Sequence, residues 1–356
     1  MSQNTNGAGN PATTPATTPA TTPTTLPAAA IAPATTSAAG TAAGMPAGYL
    51  DYGQRRYGMD HERYAWSQLH TRPKVQWPNQ ARVALWVIPA LEWFPLDMKG
   101  KPFKPPGAMV TSYPDLRHYT LRDYGNRVGI FRIMRALEAR GIKASVATNA
   151  AVAVRYPALI KACVAKGWEI LANGLDMDHL HYEGLPRDEE QRLVTTTLDI
   201  LRNAAGAASG QRVRGWLSPA KSESFATPDL VAAAGCDYLC DWVNDDMPYA
   251  FNTASGPITA MPHPCDIDDY QILINNHHTE DDFRDALCDQ FDVLYRESAT
   301  QGGRVMAISL HPWITGQPYR IGALEQALDH ILSRRGVWPA TGAQIVDAWR
   351  AQALQA

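Results

Sequence analysis

No pair of cysteines in this 356-residue chain has CxxC spacing, and neither charge sign is in strong excess. Nor is there an apolar run near the roughly eighteen residues that a membrane span needs. Each gap excludes something. Cys163, Cys236, Cys240, Cys265 and Cys288 form an odd set without metal or redox spacing. That argues against a disulfide framework and for a reducing, cytoplasmic setting. All five read as small buried hydrophobes. With 32 basic residues against 35 acidic ones the formal charge is −3, so a nucleic-acid footprint is not expected.

The first stretch, residues 1–47, lacks large side chains and almost all charge; it is Ala, Thr, Pro and Gly with a short PATT repeat. Such a segment cannot offset the entropy of ordering and is expected to be a disordered tail. It shows no basic n-region followed by an apolar h-region, so a secretory signal is not expected. Residues 48–356 are the expected folded, catalytic domain.

What is present is a regular alternation. ARVALWVIPALEW (81–93) reads as a buried strand, and YGNRVGIFRIMRALEARG (124–141) as an amphipathic helix ending at Gly141. KASVATNA, WEILAN, VRGWLSP, CDYLCDW and RVMAISLHP read as further strands, separated by helical stretches such as the long one that begins near Asp188. About seven strand–helix units predict a parallel α/β barrel with its site where strands end. Polar residues fall near those junctions: Glu92, the cluster from Asn173 to His181, Arg214, Asp241 and His311.

His311 ends an apolar strand at SLHPW, where Pro312 stops the ladder. It is a candidate proton donor to a leaving nitrogen. Glu92, between Leu91 and Trp93, loses hydration and suits general-base work. Arg214 and Asp241 read as an orienting pair. In LANGLDMDHLHY, His179 and His181 would share one side of an extended loop. That pattern leaves a solvated turn, a substrate loop and a metal site all open. His277 and His278 precede a helix that Thr279 and Asp282 would cap.

Taken in order, ALEWF (90–94), RDYGNRVGIFR (122–132), WEILANGLDMDH (168–179), RGWLSPAKSESFATPDL (214–230), DWVNDDMPY (241–249) and SLHPWITGQPYR (309–320) resemble the polysaccharide deacetylase superfamily. The resemblance covers roughly residues 75–350 and is nearest the branch of metal-independent allantoinases and related cyclic-amide hydrolases. DYGNRVG and LHPWITGQP are its most specific parts. The resemblance implies a distorted (β/α)7 barrel. In metal-dependent members an Asp pair supplies a base and a ligand, and a His-Gly turn with a second His four residues on completes the metal site. Here Glu92 stands for the Asp pair, the turn is Asn173-Gly174, and Met177 stands at the second His position. Amide and thioether groups suit zinc poorly. No metal is therefore expected; zinc or another divalent ion would fall back on Glu92, His179 and His181.

The expected function is hydrolysis of a non-peptide C–N bond in a small cyclic amide or ureide. Glu92 would act as base, His311 as acid, and Arg214 held by Asp241 as the orienting group. Asn173 would help polarise the carbonyl, and His179, Trp216, Trp242 and Trp313 would contact substrate. The alternatives are a metal-dependent N-deacetylase of carbohydrate or peptidoglycan and a non-catalytic binding protein on the same barrel. The expected partner is a small molecule, with homo-oligomerisation in keeping with that branch.

Overall fold

The computed structural model describes residues 61–98 and 114–353; the expected N-terminal tail lies outside the described residues. Among the described residues nine strands make one curled sheet: β1 (Val83–Leu91), β2 (Ser145–Thr148), β3 (Glu169–Ala172), β4 (Gly215–Trp216), β5 (Tyr238–Leu239), β6 (Tyr249–Phe251), β7 (Ile258–Ala260), β8 (Arg304–Leu310) and β9 (Val337–Pro339). Their order is β6-β7-β5-β4-β3-β2-β1-β8, with β9 beside the start of β1. Every pairing is parallel except β6 with β7. Removing antiparallel β6 from that path of eight leaves seven parallel strands, as the segment count predicts. The gap between the sheet's ends is crossed by one isolated bridge, Asp268 to Ser309.

β1 is buried along nearly its whole length, because its alternate side chains enter two buried clusters, Val83, Leu85, Val87 and Leu91 on one face and Ala84, Trp86 and Ile88 on the other. Its unbroken Val/Leu/Ile/Trp run therefore never needs a polar face. Helices α1 (Leu116–Tyr124), α2 (Ile130–Glu138), α3 (Ala150–Arg155), α4 (Pro157–Ala165), α5 (Arg187–Ser209), α6 (Thr227–Ala233), α7 (Glu280–Gln301), α8 (Ile321–Leu332) and α9 (Gly342–Ala353) complete the fold. Ile130, Ile133, Met134 and Leu137 of α2 are buried, and each such apolar side chain contributes about 1.5–3 kcal/mol. Thr279 and Asp282 form the expected capping box of α7.

The N-terminal side of the barrel is closed by a buried carboxyl. Glu169 accepts from Ser145 Oγ and Tyr238 Oη, each at 2.6 Å, and from the backbone N–H of Ala343 at the start of α9. Burial raises its pKa.

The expected helix over 124–141 begins earlier and is interrupted. A π-helical turn, Gly125–Gly129, joins α1 to α2. The reason is contact. A Cβ on Gly129 would lie 1.9 Å from the Pro312 carbonyl oxygen, and one on Gly125 would lie 2.8 Å from the Trp313 nitrogen. One on Gly316 would lie 2.4 Å from Gly129 Cα. The two most specific motifs of the sequence thus press directly on each other.

Candidate active site

The C-terminal ends of β1 and β8 lie side by side, since Pro89 is in register with Leu310. That register delivers Glu92 and His311 to one place. His311 Nε2 lies 3.9 Å from Glu92 Oε1. On its other side His311 Nδ1 is 2.7 Å from Asp269 Oδ1. Asp269 also accepts the His311 backbone N–H at 2.8 Å and the Thr315 hydroxyl at 2.6 Å, so a fully buried carboxylate fixes both ring and backbone. With Nδ1–H donating to Asp269, Nε2 is the nitrogen that faces Glu92.

Burial opposes a charge on His311, but Asp269 and then Glu92 outweigh it and raise its pKa to about 9. The imidazole is cationic at neutral pH. Asp268, next in chain, has a pKa raised by burial and then pulled back by the His311 charge. His263, fully buried beyond β7, is held well below its ordinary pKa by burial and then by the charge of Lys221. Tyr270 packs 5.6 Å from the His311 ring and 6.2 Å from that of Trp313. Arg122 lies over the faces of Phe94 and Trp313, at 4.3 and 4.9 Å from the ring centres. Asn126 of the π-helical turn donates to the Glu92 carbonyl at 2.9 Å, and Asn149 accepts from Trp93 N–H at 2.7 Å. The DYGNRVG segment therefore positions both halves of the pair: Glu92 through Asn126, and the His311 loop through the glycines.

Several sequence expectations are corrected. Arg214 and Asp241 do not pair. Arg214 precedes β4 and sits at its N-terminal end, where it bonds Asp237 at 2.5 Å and grips Asp347 of α9 with both terminal nitrogens. Asp241 follows β5, accepts from Ser218 N–H at 2.7 Å, and adjoins Glu223. Burial, and then the neighbouring Asp241 carboxyl, push the Glu223 pKa up, and burial likewise raises that of Asp241.

His179 and His181 do not share a side. Asp176 accepts from the N–H groups of Asp178 and His179 and bonds His179 Nδ1 at 2.8 Å; this turn bends the chain out of the extended form. His179 stays at the surface, while His181 is fully buried with Nδ1 3.1 Å from Glu190 Oε1. The fallback set Glu92, His179 and His181 therefore does not converge. Among the described residues no three His, Cys, Asp or Glu side chains are placed to hold a metal ion. With Asn173 and Met177 at the other motif positions, the donor set does not fit zinc.

Trp216 is fully buried with Nε1 on Ser218 Oγ, so it is core and not pocket wall. Trp242 is half-buried; its Nε1 bonds Glu223 and its ring packs on Phe251. Trp313 does lie beside His311, with ring centres 6.4 Å apart. Asn173 is buried at the end of β3. Asp269 is the partner of His311 that the sequence reading does not single out; only the acidic doublet in CDIDDY, at the start of an apolar stretch, points to it. A cavity of about 680 Å³ lies elsewhere, walled by Trp66, Arg72, Met247, Arg304 and Trp349, and it contains none of Glu92, Asp269 or His311.

No family model matches the chain. A Schizosaccharomyces pombe protein bearing the name of a polysaccharide deacetylase is 28% identical over 246 residues, 65% of this chain and 75% of that protein. The crystal structure of PuuE allantoinase superposes with a TM-score of 0.71 at 27% identity, covering 80% of this chain and 97% of that one. A Pseudomonas aeruginosa structure named as a probable polysaccharide deacetylase gives 0.70 at 28%, covering 79% and 95%. On its seven parallel strands, its paired motifs and these likenesses, the chain is similar over most of its described length to polysaccharide deacetylases and to PuuE allantoinase.

Proposed function

We propose that this chain hydrolyses a non-peptide C–N bond, that of a small cyclic amide or ureide, without a bound metal ion. The observation that carries the reading is the Asp269–His311–Glu92 line, with Nε2 3.9 Å from a carboxylate oxygen at the mouth of the barrel. Glu92 takes a proton from water, whose oxygen attacks the carbonyl carbon. The C–N electron pair passes to nitrogen, which receives the Nε2 proton of His311. Glu92 has then gained a proton and His311 has lost one, and transfer across the short gap between them resets both. Asp269 keeps the imidazole charged and aimed. Trp313 and Tyr270 wall the substrate beside His311, with Asn173 contributing from the end of β3.

The names of the two solved relatives, an allantoinase and a polysaccharide deacetylase, favour this step, since both denote attack of water on an amide carbonyl. The poor donor set favours a ring amide over an acetamido sugar, because strain in the ring substitutes for part of the activation a Lewis acid would give.

The test is a turnover screen of allantoin, hydantoin, succinimide and acetamido sugars in excess chelator. Ring opening that persists in chelator and falls at least about a thousandfold in His311→Ala and Glu92→Gln supports the proposal. Zinc-dependent release of acetate would replace it with the deacetylase reading. No turnover of any amide, with or without zinc, would leave a binding protein.

A further inference from the structure

Glu92 lies one residue beyond β1, where the strand no longer fixes the chain. A base acts only if its carboxylate is aimed, and the aim starts from the two peptide planes that flank its Cα. Both planes are held. In the plane before Glu92, the Leu91 carbonyl accepts the Asn149 backbone N–H at 3.0 Å. In the plane after it, the Glu92 carbonyl accepts from Asn126 Nδ2 at 2.9 Å, and the Trp93 N–H donates to Asn149 Oδ1 at 2.7 Å. Two asparagine side chains from different elements thus grip the two ends of one peptide unit.

We propose that Asn149 is a positioning residue, which works with Asn126 to hold Glu92 against His311; naming Glu92 the base rests on the hydrolase reading above. Asn149 follows β2 and is fully buried. It occupies the N-cap position of α3, where an asparagine ordinarily accepts from an N–H of the first helical turn. Here it makes no such bond. The first two N–H groups of α3, those of Ala150 and Ala151, donate instead to the Gly174 and Leu175 carbonyls at 3.0 and 2.9 Å. The Asn149 side chain is thereby released for Trp93 N–H on one side, while its Nδ2 donates to the Asn173 carbonyl on the other. Met177 N–H closes the ring by donating to the Trp93 carbonyl at 2.9 Å. One carboxamide therefore joins the ends of β1 and β3, and the 3.9 Å gap from Glu92 Oε1 to His311 Nε2 is set from this joint.

An asparagine that only satisfied buried backbone would affect stability and nothing else, so the experiment reads the gap. Burial lowers the His311 pKa, but Asp269, Glu92 and Asp268 raise it to about 9, and a Glu92 carboxylate that drifts away withdraws its share. The His311 ring is titrated by NMR in wild type, Asn149→Ala, Asn126→Ala and, as a stability control, His181→Phe. On the same proteins kcat and KM are measured with the ring amide found in the screen. Asn126 lies in a helical turn, where alanine is well tolerated, so its variant reads the clamp even if Asn149→Ala folds poorly. Both asparagine variants are expected to titrate His311 below the wild-type value. They are also expected to lose about 10–10² in kcat, with KM changed less than about threefold. His181→Phe is expected to melt lower with neither change. A His311 pKa unmoved from wild type in either folded asparagine variant, or a kcat within about threefold of wild type, would overturn the role. A wild type that opens no ring amide would end the hydrolase reading, while the titration still decides whether the asparagines hold Glu92 against His311.

Discussion

Two histidines in this barrel, His181 fully buried and His311 partly so, are bonded through Nδ1 to buried carboxylates, and they do different things. His311 leans on Asp269 and His181 on Glu190. Around His181 everything is closed. Its side chain is 0% exposed, its Nε2 meets no partner, and Glu190 also accepts from Ser224 and Thr227. These bonds outweigh burial and hold the Glu190 pKa low. The His311 side chain is 16% exposed, and its Nε2 looks at a second carboxylate across 3.9 Å. An imidazole–carboxylate pair is thus an ordinary way to satisfy a core. What marks a proton-transfer site is the second nitrogen, left open and opposed by another acid–base group.

That contrast can be broken experimentally. The largest effect belongs to the open pair, where the His311→Ala and Glu92→Gln losses described above are expected; Glu92→Gln should leave the melting temperature nearly unchanged, while His311→Ala should lower it, because buried Asp269 loses its partner. Next is Asp269→Asn. The Asp269 charge raises the His311 pKa to about 9, so activity should fall as pH rises through about 9, where the acid loses its proton. In Asp269→Asn that limb should move to lower pH, because burial is then less opposed; a limb that stays in place would remove Asp269 from the proton path. The same raised pKa makes a stability contribution present in full below about pH 6.5 and lost as pH rises through about 9. His181→Phe should invert the pattern. It leaves Glu190 short of a donor and should cost about 1–3 kcal/mol of stability without moving the pH limb. Arg214→Met should do least. Its ion pairs with Asp237 and half-exposed Asp347 are each worth about 0–1 kcal/mol, and kcat should stay within about twofold. A larger kcat loss would restore the orienting role that sequence suggested for Arg214.

Much of this was legible beforehand. Apolar runs ending in Glu92 and His311 gave strands, and strand ends in a parallel barrel face one rim. What misled was direction. Arg214 stands before its strand and so belongs to the other end, however near Trp216 it lies in sequence. The His179–His181 spacing misled because it presumed extended chain, whereas Asp176 folds the segment into a turn. Strand β7 and Asp269 were illegible for another reason. A three-residue strand has no period to detect, and an aspartate that supports a histidine 42 residues later leaves no local trace.

The seam of Gly125, Gly129 and Gly316 carries a consequence for how such a chain can vary. Its most recognisable letters are not the ones that handle protons but the ones with nothing beyond Cα. A methyl group at any of the three would act as a wedge, prying the 312–316 loop off the helix and taking the imidazole with it. Drift can repaint the barrel's exterior freely, yet at this joint the chain has no spare room at all.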